Sequence, residues 1–559
     1  MWRKCTARQA SKAASRFSHR VPGKDVGRLI DSAAIGVLLL VTAITLFTFR
    51  DYGLGWDDYT HAQYGELLLD YYASGFNDRR ALSFVNLYMY GGGFDMAAAL
   101  LAKLLPFSAF ETRRLLGAAI GLIGLLATWR IARRMGGPLA GLLGLILLAT
   151  CPLYYGHMFM NPKDAPFATA MTILLLGLVR ALEEYPKPQI ITVIVVGLGL
   201  GLSIGSRILG GITAFYVLVP LAMIISSDAR AAGAGKAARN FGRFLLALFP
   251  GFVIAYGAMG LLWPWSVLHP LNPLRAVAYF SEFFEQPWRE MFGGSLIQVP
   301  DMPRIYVPVL FLLKLPEILL VLSIGGLAGV LFTVARSPLP LRRRATLSLV
   351  AIAAILPIII AVVMRPAMYN GIRHFVFVMP PLAILGGLAG AWLIERASRL
   401  SKAAMAAAGV ILSAGLLLPI VEMVRLHPYQ YTHFNQLAGG IRAADERYML
   451  DYWGLAFKQA GQELRAKLTE RLEVPARRRW RIAVCGPHPA AQVELGPEFL
   501  PTWDPKGADF ALMLGEFYCA QLKAPILVEI TREGVVYARA YDIRGLTITS
   551  LFTIPPLPQ

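Results

Sequence analysis

Acidic side chains are scarce in the apolar first three quarters of the chain, so those that gather between apolar runs stand out. Asp57, Asp58 and His61 fall within Gly55-Trp56-Asp57-Asp58-Tyr59-Thr60-His61. If a helix begins here, Asp57 and His61 stand at i and i+4 and share a face. Asp58 then falls in the first turn, where a carboxylate suits the positive end of the helix dipole. A carboxylate so placed can serve as general base toward a hydroxyl or amine. It can equally do no more than cap the helix. A second group, Asn161-Pro162-Lys163-Asp164-Ala165-Pro166, puts an acid and a base at the mouth of an apolar run. Asp164 could orient a site or simply cap that run. Around these stand Lys163, Arg207, Lys314, Arg365, and Arg373 with His374. Guanidinium forks onto two phosphate oxygens, so such a cluster suits a phosphate head group. Snorkelling toward lipid phosphates is the plainer reading, and the better one for Arg365. Arg207 sits in a turn otherwise made of Gly, Ser and Ile, and Arg373 sits beside an apolar run; a cation near hydrocarbon is costly without a partner.

The elements that must position these residues are membrane spans. Hydrophobic residues make up 56% of 559 positions and mean hydropathy is +0.53, above the roughly 45 to 50% of a soluble domain. Repeated apolar runs come near the length needed to cross ~30 Å of hydrocarbon. The 54 basic residues against 35 acidic give a net charge of +19, and basic residues collect beside apolar runs as cytoplasmic loops do. No basic stripe carries interleaved aromatics, which argues against nucleic acid as a partner. A basic leader, 1–30, precedes an apolar run at 32–49 with no small-residue cleavage site behind it. An uncleaved anchor with a cytoplasmic N-terminus is expected. Ten further spans are expected at 115–131, 139–155, 166–180, 190–203, 209–225, 244–263, 315–335, 345–363, 375–394 and 403–424. With eleven crossings every densely basic short loop falls on one side, and the acids fall on the other. The stretch 93–106 is apolar but short and carries Asp95 and Lys103, so it should lie along the interface.

Beyond residue 424 apolar runs shrink and charges return. Phe457, Ala460, Leu464, Leu468 and Leu472 recur at helical spacing. Segments 481–485, 508–514, 526–530 and 535–540 read as strands bounded by Gly, Pro and Asp. The expected architecture is a mainly α polytopic transmembrane helix bundle, 31–424, with outer loops 50–114 and 264–306. A small extracytoplasmic α/β domain, 425–559, follows. Cys485 and Cys519 both fall in that domain, in an oxidising compartment where a bridge could persist; whether they pair depends on a strand order that remains open at this point.

These features together resemble the GT-C superfamily of membrane glycosyltransferases, nearest the protein O-mannosyltransferase and aminoarabinose-transferase branch. Asp57-Asp58 resembles the Asp-Glu pair of the first loop, with Asp at the second position, and Lys163-Asp164 resembles the second-loop Asp element. Arg373-His374-Phe375-Val376-Phe377 resembles a late Arg-His element, and His433 to Gly440 with Asp451-Tyr452-Trp453-Gly454 resembles segments of bacterial members. The resemblance covers roughly 28–458. It implies transfer of a monosaccharide from a polyprenyl-phosphate-linked donor to a lipid, glycan or protein acceptor outside a bacterial inner membrane, with inversion. Asp57, Asp58 and Asp164 would be catalytic; His61, Lys163, Arg207, Lys314, Arg373 and His374 would bind substrate. No metal or other cofactor is implied, although Asp57, Asp58, His61 and Asp164 could offer ligands to a divalent ion. The competing function is a transporter or flippase of an anionic lipid, which would place ionisable groups near the membrane midplane. The spans carry almost none, and no internal repeat is seen.

Overall fold

The computed structural model describes residues 24–281, 288–473 and 478–552; most of the basic leader, with Cys5, lies outside the described residues. Among the described residues, nine helices are long and apolar enough to cross a membrane. They include Asp25–Thr48, Asp164–Glu183, Glu317–Arg336, Leu341–Met364 and Lys402–Leu426. One of the nine, Ala109–Ala149, is two arms. It starts at a capping box in which Ser108 and Glu111 satisfy each other's backbone N–H groups. At Gly137 the backbone takes φ 83°, open to glycine at little cost, and Pro138 follows. A Cβ at Gly141 would lie 2.7 Å from that of Arg133, and one at Gly144 would lie 3.1 Å from that of Ala132, so the arms run back along each other. The second arm breaks at Cys151 and continues as the helix Pro152–Met160. The shorter helix Ile190–Ser206 packs glycine against backbone, Gly199 on Leu174 and Gly197 on Gly251. Counting both arms and this helix, the apolar segments coincide with the eleven expected spans.

The chain is a multi-pass membrane protein, and its surface suits that solvent. Asp25–Thr48 and Lys402–Leu426 each bury only 17% of their apolar window, turning Leu39, Phe47, Val410 and Val424 outward where lipid covers them. The inner helices are far better covered, with 72% of the window buried in Asp164–Glu183.

The segments that join the spans carry more structure than the sequence suggests. The helix Asp58–Ala73 begins at Asp57, and Gly93–Ala102 is a short helix with Asp95 buried. In the 264–306 loop, β1 (Arg289–Phe292) and β2 (Ser295–Gln298) form an antiparallel hairpin. The C-terminal region builds a five-stranded sheet from β3 (Trp480–Cys485), β4 (Phe499–Thr502), β5 (Phe510–Leu514), β6 (Ile526–Arg532) and β7 (Val535–Asp542), in the order β4-β3-β5-β7-β6. β3 pairs in parallel with β4 and β5, while β7 runs antiparallel to β5 and β6. The helix Phe457–Glu470 buries Phe457, Ala460, Leu464 and Leu468. Leu472, expected on that stripe, instead lies past the helix end at φ 58° and is exposed. Parallel pairing of β3 with β5, together with the turn after β5, brings Cys485 and Cys519 within a Cα separation of 5.7 Å, and they are bridged.

Candidate active site

A cavity of about 510 Å³ opens between the segments that join the spans and the C-terminal domain. Asp57, His61, Lys163 and Arg373 line it, with Trp56, Tyr90, Trp288, Tyr369, Tyr452, Trp453, Phe517 and Tyr518 forming much of the remaining wall. Charge comes from the membrane module, and the C-terminal domain contributes aromatic side chains and Met449.

Asp57 is the N-cap residue of Asp58–Ala73, yet its side chain makes no capping hydrogen bond. It meets the Lys163 ammonium at 3.3 Å and keeps 35% of its side-chain exposure. Burial pushes this carboxyl up, but Lys163 and Arg373 outweigh that and hold it well below the usual carboxylate range. Lys163 precedes the helix Asp164–Glu183 and stands 5.0 Å above the Tyr90 ring. Arg373 begins the 3-10 turn Arg373–Val378, and its guanidinium lies between the rings of Tyr369 (4.9 Å) and Trp453 (4.8 Å). Its Nε and Nη1 have no hydrogen-bond partner, and Asp164 stands 3.9 Å from Nη1.

Asp58 does not reach the cavity. Both its oxygens take the Arg114 guanidinium, at 2.9 and 2.6 Å, and the second also accepts the Gly55 N–H at 2.8 Å. These bonds anchor the first loop to the helix Ala109–Ala149. Asp164 is likewise buried behind the cavity wall. It pairs with Arg207 at 2.6 Å and accepts the Asn161 amide at 2.7 Å. Arg207 therefore serves Asp164, and the pair stands behind Arg373. Lys314 is buried over the Phe434 ring at 4.1 Å, outside the cavity lining, and burial draws its ammonium down to about 7. His374 is also outside the lining, 5.1 Å from the Tyr369 ring.

Several groups that shape the site escape the sequence reading. Glu290 on β1 accepts the Tyr306 hydroxyl at 2.5 Å and the Asn370 N–H at 2.6 Å, fixing the loop that delivers Arg373. Asp95 receives His61 Nδ1 at 2.6 Å and Arg113 at 2.6 Å. An acid inside a short apolar helix needs a partner, and that signal alone pointed to Asp95. Trp453 closes the cavity from the C-terminal side, and its carbonyl accepts the Trp56 N–H at 3.2 Å. A Cβ at Gly55 would sit 1.6 Å from the Trp453 ring, so only glycine there lets the two segments meet. Among the described residues, no group of three or more His, Cys, Asp and Glu side chains is arranged to hold a metal ion.

Residues 94–250 match the family model described as dolichyl-phosphate-mannose-protein mannosyltransferase. This match bears out the resemblance to the GT-C membrane glycosyltransferases. Among solved structures, the chain is similar to ArnT from Cupriavidus metallidurans in the apo state, with 16% identity, 91% of this chain and 98% of that chain covered, and a TM-score of 0.47. For ArnT bound to undecaprenyl phosphate the identity is 15%, the coverage 91% and 97%, and the TM-score 0.48. For the Archaeoglobus fulgidus oligosaccharyltransferase in the apo form they are 13%, 85% and 65%, and 0.48. No curated protein matches the chain.

Proposed function

We propose that this membrane glycosyltransferase moves a monosaccharide from a polyprenyl-phosphate donor to an acceptor hydroxyl or amine, on the outer side of a bacterial inner membrane, with inversion at the anomeric carbon. The observation that carries this reading is the meeting, in one cavity, of a partly exposed carboxylate, Asp57, with the cations Lys163 and Arg373, with Arg289 also in the lining. The bond that breaks joins the anomeric carbon to a phosphate oxygen. The leaving group is already an anion, so it needs cations and not the protonated second carboxyl that a glycosidase uses. Arg373 is pre-oriented between two rings with open donors, and its fork matches phosphate oxygens. Lys163 is shared between Asp57 and any anion that enters. A phosphate drawn onto Lys163 loosens its hold on Asp57, which then accepts the proton of the attacking acceptor. Asp164 and Arg207 position Arg373, and Asp58 fixes the first loop. Trp453 and Tyr452 exclude water from above.

The test is a comparison, by mass spectrometry, of lipids, glycans and envelope proteins from a strain with the gene and a strain without it. Loss of one glycosyl group names the sugar and the acceptor. An unchanged profile under conditions where the gene is expressed overturns the reading.

A further inference from the structure

His61 stands one helical turn from Asp57, lines the same cavity and is 2% exposed. Its Nδ1 is 2.6 Å from Asp95 Oδ2, while the other oxygen of Asp95 takes Arg113 at 2.6 Å. Burial pushes Asp95 up, but the Arg113 guanidinium and the hydrogen bond from His61 Nδ1 outweigh it and keep the carboxyl below its ordinary range. An ionised carboxylate only accepts, so Nδ1 carries the hydrogen and donates it. In neutral His61, Nε2 then bears a lone pair, and that atom has no hydrogen-bond partner. A buried acceptor left unpaired is costly, and groups kept that way mark sites where a ligand or a proton completes the bonding.

We propose that His61 Nε2 is the final acceptor of the proton released in transfer, with Asp95 and Arg113 as its positioning residues. This rests on the glycosyl-transfer reading above. The acceptor O–H bond breaks and its proton passes to Asp57, while the oxygen's electron pair forms the new bond to the anomeric carbon. The old carbon–oxygen bond pair leaves with the phosphate. Asp57, flanked by Lys163 and Arg373, is a poor place for the proton to stay. Nε2 lies beyond hydrogen-bond reach of Asp57, so a water molecule drawn into the cavity relays the proton to it, and the imidazolium formed is held by Asp95 through Nδ1–H, the logic of an oriented histidine in hydrolytic triads. His61 returns the proton to solvent through the open side of the cavity.

The experiment uses membranes of a strain lacking the gene, which contain the native donor and acceptor, incubated with purified full-length enzyme; the glycosyl group transferred is read by mass spectrometry. Binding of farnesyl phosphate, measured separately, reports an intact cation pair. His61→Gln, which still donates to Asp95 but takes no proton, is expected to bind farnesyl phosphate as the wild type does and to transfer ~100-fold more slowly, the scale of a lost proton acceptor. Asp95→Asn is expected to lose at least ~10-fold with binding unchanged. Imidazole added to His61→Ala should restore part of the rate, which a purely structural histidine would not allow. Wild-type transfer by His61→Gln, or no response of farnesyl-phosphate-competent His61→Ala to imidazole, overturns the assignment. No transfer by the wild-type enzyme would instead sink the glycosyl-transfer reading itself.

Discussion

Replacing Asp57 by asparagine removes a charge from the cavity without leaving a buried partner stranded, because Lys163 stays over the Tyr90 ring at the cavity edge. Asp57→Asn is therefore expected to keep its unfolding temperature and to lose transfer by at least ~100-fold. Asp58→Asn should do the reverse in kind: it leaves the Arg114 side chain, 3% exposed, facing a neutral amide. Breaking a buried pair on one side costs about 3 to 5 kcal/mol, so low yield and a lowered melting temperature in detergent are expected. Undiminished transfer in Asp57→Asn would refute the assignment of the base. The two aspartates are adjacent and chemically alike, and local spacing could not tell them apart. What separates them is Arg114, 56 residues on, and contacts at that distance leave no mark on local pattern. His61 and Lys163 do line the cavity, as expected of polar side chains grouped with Asp57 and Asp164 between apolar runs. Lys314 and His374 lie outside the cavity lining, and sequence pattern does not tell a basic side chain that faces a cavity from one that packs against a ring.

Elements were legible where one period dominates. Spans declare themselves by length, and the Phe457–Glu470 helix by its stripe. The β1–β2 hairpin was missed, although Gly293-Gly294, at φ 63° and 85°, is the kind of two-residue turn that joins short strands. β4 was missed because it is four residues long and contains Pro501, tolerated on the sheet edge where it lies. After β5 the chain turns through Glu516, Phe517 and Tyr518. Glu516 accepts the Leu450 N–H at 3.1 Å, tying that segment to the stretch that bears Tyr452 and Trp453. Burial, aided by nearby Asp451, pushes Glu516 up to about 8. Its folded value lies above that of the unfolded chain, so the protonated form stabilises the fold. That contribution is complete below about pH 4.5 and is lost as pH rises toward 8. Glu516→Gln keeps an acceptor for Leu450 and cannot ionise. Melting curves of the full-length protein should then agree with wild type near pH 4.5 and lie higher for the variant at pH 8.5, by on the order of a few kcal/mol. A variant less stable than wild type at pH 8.5 would show that the charged form is favoured instead.

At the scale of the whole molecule, the site is a joint between two parts, and both must lie on the same side of the membrane. A reporter that is active only after export, fused behind Gln559, should be active, because the basic short loops share one side only if the C-terminal domain lies on the other; cytoplasmic activity would put the cavity in the wrong compartment for an exported acceptor. On that side Cys519 is bridged to Cys485 at the end of β3. Phe517 and Tyr518, next to it, line the cavity together with Trp56, whose backbone N–H donates to the Trp453 carbonyl of the same C-terminal wall at 3.2 Å. The bridge thus fastens the C-terminal wall of the cavity to the sheet, while Trp56 fastens the same wall to the loop that carries Asp57. Its sequence separation of 34 gives a stabilisation of about 4 kcal/mol in the chain-entropy model. Cys485→Ser with Cys519→Ser should therefore lower the melting temperature of the C-terminal domain and weaken the use of acceptor. Binding of farnesyl phosphate should change little, because the cations that would hold it, Lys163 and Arg373, belong to the membrane module. Loss of farnesyl phosphate binding in the double variant, at a temperature where the membrane module stays folded, would mean that the C-terminal wall organises the cations as well. An unchanged acceptor dependence would mean that the bridge steadies the domain without shaping the cavity.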